Sequence, residues 1–126
     1  MLGTHDAQAT VPVKDLAIAR PFYEQVLGLT PIEGDQPGVQ GYQAGGSSLI
    51  VYESPFAGTN RATTVTWSLG QSFDETLKGL QAKGVAFEHY DDMPGITLDG
   101  DVHVAGEMKV AWFKDPDGNI INIGNY

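Results

Sequence analysis

Few residues in this chain are equipped for chemistry. None of its 126 residues is cysteine and only three are histidine, so a thiolate nucleophile, a disulfide and a Cys-ligated metal have no source. His5 lies in the N-terminal tail. His89 stands beside the acidic pair Asp91-Asp92, and His103 sits between Asp101 and Glu107. A divalent metal takes imidazole nitrogen, carboxylate or thiolate, and His89, His103 and Glu107 form the one grouping that could offer them. Their spacing matches no ligand pattern, and histidines in acidic loops are ordinarily solvated or simply hydrogen-bonded. No paired carboxylates and no nucleophile–base arrangement can be read either. A metal-free enzyme would have to use a Tyr, His103 or Glu107 as its acid or base.

What the sequence does offer is neutral polar residues at alternate strand positions, with aromatics nearby. From Ala7 to Val13, Ala9, Val11 and Val13 fall on one face and Gln8, Thr10 and Pro12 on the other, a period of two that predicts a strand. Thr63, Val65, Trp67 and Leu69 alternate in the same way with Thr64, Thr66 and Ser68, and Asn122 alternates with Ile121 and Ile123. Trp112, Tyr42 and Tyr52 add flat apolar area with a polar tip, suited to a planar molecule.

These positions need elements to hold them. Asp15 can cap a helix carrying Leu16, Ala19, Tyr23, Val26 and Leu27, which Gly28 stops. Pro21 inside that pattern predicts a loosened turn, not two helices. Strands are expected at 29–33, 39–44 and 48–53, and the Pro- and Gly-bearing stretch 54–61 reads as a linker. Ser72-Phe-Asp-Glu75 has the form of a capping box, followed by the stripe Phe73, Leu77, Leu80 and the stop Gly84. A strand at 85–89 leads into an irregular stretch, 90–106. Strands at 108–114 and 119–124 then join through Asp115-Pro-Asp-Gly118, a turn that Pro and Gly explain fully, so Asp115 and Asp117 are structural. Gly28 and Gly84 lie 56 positions apart, an offset that also carries Gln8 onto Thr64 and Val11 onto Trp67. The plan is therefore repeated.

The segments Val11-Pro-Val-Lys-Asp-Leu16 with Phe22-Tyr-Glu-Gln-Val-Leu-Gly28, and Phe113-Lys-Asp-Pro-Asp-Gly-Asn-Ile-Ile-Asn122, together resemble the vicinal oxygen chelate superfamily. Glyoxalase I, fosfomycin- and bleomycin-resistance proteins and extradiol dioxygenases belong to it. The resemblance implies an α+β fold of two βαβββ modules, about 7–53 and 62–124, in one domain, forming a cupped, barrel-like mixed sheet. It also implies that the usual metal triad falls on Gln8, Thr64 and Asn122. Glutamine occurs at the first of these positions in some glyoxalases. Thr64 and Asn122 are neutral and poor replacements for histidine and glutamate, so no negative charge offsets a dication. Trp112 matches a position that faces the ligand in fosfomycin-resistance relatives.

The expectation is a small-molecule-binding member without a metal or other cofactor, similar to the antibiotic-sequestering proteins. Its ligand-binding residues would be Gln8, Thr10, Tyr42, Tyr52, Thr64, His103, Trp112 and Asn122. The alternative is a metal-dependent enzyme of the glyoxalase or dioxygenase kind, with a divalent metal as cofactor. Small modules bury little surface alone, which suggests a homodimer. The net charge of −9 repels phosphate backbones and anionic membranes. Residues Met1–Asp6 carry neither the basic patch nor the apolar core of an export signal, and no apolar run reaches the roughly 20 residues of a membrane span. The cytoplasm of a bacterial cell is the expected setting.

Overall fold

The computed structural model describes all residues from Met1 to Tyr126. Its strands form two sheets, each with one helix on its outer face. In the first sheet β1 (Ala9–Val13) pairs in parallel with β4 (Ser47–Glu53), which pairs antiparallel with β3 (Val39–Ala44), and β2 (Thr30–Ile32) lies at the edge. In the second, β5 (Thr63–Ser68) pairs in parallel with β10 (Ile120–Gly124), and β10 pairs antiparallel with β9 (Met108–Lys114). The far edge of β9 is shared by β6 (Phe87–Glu88) and by β8 (Val102–Ala105), and β8 pairs with β7 (Thr97–Asp99). The sheets meet along β1 and β5 as a cup and do not close into a barrel.

Local chemistry sets the outer layer. In α1 (Leu16–Pro21), the Asp15 carboxylate accepts the Ala17 N–H at 2.9 Å and Glu53 accepts the Leu16 N–H at 3.0 Å. Pro21 has no N–H to donate, and the chain continues as a π-helical turn over Phe22–Val26, with Leu27 N–H bonding to Phe22 C=O at 2.9 Å. The widened turn absorbs the proline without splitting the helix. Leu16, Ala19 and Tyr23 then pack on Val11, Val13, Tyr42, Leu49 and Val51. The second helix, α2 (Phe73–Ala82), packs Phe73, Leu77 and Leu80 on Ala111, Phe113, Ile121 and Ile123. Phe22, Leu27, Val65 and Trp67 touch both clusters and join them into one core. Ser72 does not cap α2 with its hydroxyl, because it ends a 3₁₀ turn (Gly70–Ser72) whose backbone approaches the helix already wound.

Two further departures from the sequence reading affect the cup. The stretch 90–106 holds the β7–β8 hairpin, turning at Asp99-Gly100-Asp101, so the second module is larger than βαβββ. A β-bulge separates Thr63, which lies opposite Ile120, from Val65, which lies opposite Ile121. Thr64 is the extra residue of that bulge, unpaired in the ladder.

Candidate functional site

Cross-strand register identifies what shares the inner face of the cup. Across the second sheet one row runs Thr66, Asn122, Trp112, Glu88, and the next runs Ser68, Gly124, Val110, His103, Leu98. In the first sheet the inner rows are Thr10, Ile50, Gly41, Ile32 and Pro12, Tyr52, Val39. Gln8 precedes β1 on the same parity, and its amide donates to Ser48 Oγ across the sheet. Gln8, Thr10, Tyr52, Trp112 and Asn122 thus all stand on the inner face. Where the sheets meet, a cavity of about 280 Å³ lies at the β1–β5 seam, lined by Ser48, Thr66 and Ser68 and also by the core-side residues Leu49, Val65 and Trp67.

Tyr42 is not among them. Its parity is opposite, and the ring is buried beneath α1, stacked on Tyr23 at 6.0 Å, with its hydroxyl donating 3.0 Å to Glu24. Burial, and then the bond to Glu24, push its pKa well above the ordinary tyrosine value, so the hydroxyl keeps its proton. Thr64 is displaced by the bulge, and its buried hydroxyl has no partner; Thr66 stands beside Asn122 in its place.

His103 also differs from expectation. It is no solvated loop residue: the side chain is wholly buried in β8. Its ring meets the Trp112 ring edge-on at 4.9 Å and 86°, and Tyr90 meets Trp112 edge-on at 5.4 Å. Such pairings fix ring orientation through the quadrupoles of the π systems. The Tyr90 N–H donates to His103 Nε2 at 2.8 Å, so Nε2 carries no proton and the neutral ring holds it on Nδ1. Nδ1 is buried without an aligned partner. Burial, helped by nearby His89, holds the His103 pKa below its ordinary value, against a weak opposing pull from the Val110 backbone. The Trp112 indole N–H donates 3.2 Å to Thr63 Oγ1, which locks the third side of the ring.

The residues present do not fit a divalent metal. Asn122 is 4% exposed, its Nδ2 donates to the Ala111 carbonyl at 3.1 Å, and its Oδ1 accepts from the Tyr126 hydroxyl. With Gln8 and Thr66 or Thr64 it makes a wholly neutral donor set, in which Asn122 and the amide nitrogen of Gln8 are already hydrogen-bonded within the protein. His89 does not complete a shifted site with His103 and Glu107. Its Nε2 lies 2.8 Å from Asp101, whose pKa that contact and Gln81 lower, while His103 Nε2 is taken by Tyr90. No three His, Asp or Glu side chains converge anywhere in the chain. A further cavity of about 140 Å³, between Leu27, Trp67, Leu69, Thr76, Leu80, Phe113 and Ile123, lies under α2 on the other side of the sheet and is a gap in core packing.

One contact escaped the sequence reading. Tyr126 lays its ring on the bare backbone of Gly124: a Cβ there would stand 2.3 Å from the ring. Only the glycine after Ile123 hinted at it.

A model of the glyoxalase/bleomycin resistance protein/dioxygenase superfamily matches residues 7–123. The chain belongs to that superfamily. Solved structures of this superfamily fold include the antibiotic binding protein TnmS3 from Streptomyces sp. CB03234, 25% identical, covering 94% of each chain with a TM-score of 0.64. The fosfomycin resistance protein FosX from Listeria monocytogenes is 16% identical over 95% of this chain and 91% of its own, with a TM-score of 0.69. Lactoylglutathione lyase from Agrobacterium tumefaciens is 17% identical over 96% and 92%, with a TM-score of 0.68. At the last two identities the likeness shows the fold. No curated protein sequence matches the chain. Binding proteins and enzymes share the superfamily fold, so the chemistry has to be argued from the site.

Proposed function

We propose that this superfamily member binds a small planar, drug-like molecule on the inner face of the cup, without a metal and without turning it over. The observation that carries the reading is Trp112, a half-buried indole braced by His103, Tyr90 and Thr63. A rigid aromatic wall loses little entropy on contact with a flat ligand. Thr66 lies on the same cross-strand row, and Thr10, Ser68 and the amide of Gln8 supply further neutral polar groups elsewhere on the inner face. The donor set carries no charge and no imidazole, which argues against metal-assisted lyase, epoxide-opening or ring-cleavage chemistry. TnmS3, named as an antibiotic binding protein, is the relative whose described role this reading resembles.

The working form is a homodimer in the cytoplasm, with no nucleic acid or membrane partner. The acidic surface supports the exclusion of polyanions, and no helix is long and apolar enough to cross a membrane. Native mass spectrometry of freshly purified protein should show dimer mass and a carried-over small molecule. A Trp67→Phe background leaves Trp112 as the sole emitter, and planar ligands should change its emission on titration. If no planar compound alters that emission, the binding reading fails.

A further inference from the structure

We propose that the inner face carries a phenol-recognising subsite at Asn122 and Gly124, in which Tyr126 is a resident plug that a phenolic ligand displaces. The inference rests on the binding reading above and names the class of molecule bound.

The subsite is built from two features. The first is the fixed amide of Asn122. Its Nδ2 faces the carbonyl oxygens of Ala111, at 3.1 Å, and Ile123, at 3.5 Å. Turning the amide over would set oxygen against oxygen, so the amide orientation follows from the network. Oδ1 is therefore an acceptor presented on the inner face by a side chain that is 96% buried, as its 4% exposure implies. A group with only lone pairs to offer selects a donor, and the donor it has is a phenol O–H, at 2.5 Å.

The second feature is the floor. Gly124 has no side chain, and the Tyr126 ring lies where its Cβ would be, 2.3 Å from Cε1 and 2.4 Å from Cζ. Any other residue at 124 would close this slot. Glycine floor and amide acceptor together fit one flat ring bearing one hydroxyl.

Tyr126 itself is loosely committed. It is 50% exposed, and its remaining tie is a backbone one, the Gly70 N–H donating to its carbonyl at 3.2 Å. Asn125 is held firmly, by Lys109 N–H and by the Glu107 and Lys109 carbonyls. The side chain of Tyr126 can thus swing out without unpicking the strand. Trp112 is the cross-strand neighbour of Asn122, so a displacing ligand would lie against it as well.

The test titrates ¹⁵N-labelled protein with p-cresol, the side chain of tyrosine, and with 4-methylanisole, in which the hydroxyl hydrogen is replaced by methyl. In Tyr126→Ala, p-cresol should shift the Gly124 and Asn122 amide signals and bind about tenfold or more tighter than in the native protein, where the plug competes. In the same variant 4-methylanisole should bind about tenfold or more weaker than p-cresol, because it leaves the buried acceptor unpaired. Adding Gly124→Ala should abolish both. Equal p-cresol affinity in native and variant protein would overturn the plug, and equal affinity for the two probes would overturn phenol recognition. A half-exposed plug is dispensable to the fold, so a Tyr126→Ala chain that fails to fold also counts against the proposal. If p-cresol fails while larger planar compounds still alter Trp112 emission, only the subsite falls; if both fail, the binding reading falls too.

Discussion

Tyr23 donates its hydroxyl to Asp115 Oδ2 at 2.8 Å, joining the helix of the first module to the hairpin turn of the second. Asp115 is a hub: its carboxylate also accepts from the backbone N–H groups of Asp117 and Asn119, each at 2.9 Å, and from Asn119 Nδ2 at 2.7 Å. Asn119 Nδ2 also reaches the Pro12 carbonyl, and the Asp117 side chain accepts the Lys14 N–H. The linker presses on the same turn, since a Cβ on Gly58 would stand 1.9 Å from the Asp117 carbonyl oxygen. Burial first, and then Asp115, raise the Tyr23 pKa far beyond its ordinary value, so the phenol keeps the proton it donates.

Tyr23→Phe should therefore cost about 1–3 kcal/mol, because one hydrogen bond to a buried charge is lost while three donors remain. Asp115→Ala strands all four donors and should cost about 4 kcal/mol or more. Urea unfolding midpoints measure both. A Tyr23→Phe variant as stable as the native chain would show that the modules are held together without this link.

The metal expectation has a direct check. Protein purified without chelator or affinity metal should carry well under one equivalent of zinc, nickel, manganese or iron by plasma emission, since Gln8, Thr66 and Asn122 offer no charge or imidazole. About one equivalent, lost in Gln8→Ala, would sink the reading and promote a metal-dependent enzyme.

Much of the frame was legible from residues that act locally. Asp15, Pro21, Gly28, Gly84 and the Asp115–Gly118 turn mark the ends and the weak point of their elements through their own backbone chemistry, and the structure keeps each of them. The cup floor was less legible, for reasons of register. A one-residue bulge at Thr64 is invisible to strand parity, yet it moves Thr66 into the place beside Asn122. The β7–β8 hairpin was hidden because its alternation is inverted: in Val102-His103-Val104 the polar residue is the one buried. Tyr42 carries the residue type of a ligand wall, but in its own strand it lies opposite the core residue Leu49, which turns it under the helix.

The two tryptophans should respond oppositely to truncation. Trp67 sits on the helix side, touching both halves of the core, so Trp67→Ala should cost about 3–5 kcal/mol of stability. Trp112 faces the cup, and Trp112→Ala should chiefly remove the wall against which a ligand packs. Paired unfolding curves and ligand titrations decide this. If Trp112→Ala unfolds the protein while Trp67→Ala abolishes binding, the faces are reversed and the site is lost with them.

Stability should also depend on pH through His103. His103 is buried neutral, and its Nε2 accepts the Tyr90 N–H, so a proton arriving at Nε2 would break that bond and bury a charge. Its folded-state pKa is depressed, by burial first and by His89 second, whereas the unfolded chain titrates near the ordinary value of about 6.5. For a depressed group the contribution to stability is fully present above the unfolded pKa and is lost as pH falls through the folded one. Between those two values the unfolded state binds the extra proton, so stability should fall with falling pH, by at most about 1.4 kcal/mol per pH unit. His103→Gln keeps an acceptor for Tyr90 and cannot take up a proton. Subtracting its stability curve from that of the native chain cancels His5, His89 and the carboxylates. The difference should be flat above about pH 7 and slope below about pH 6.5. Chemical denaturation at half-unit pH intervals resolves it, and a difference that stays flat down to pH 5 would show that the folded protein accommodates a charged His103.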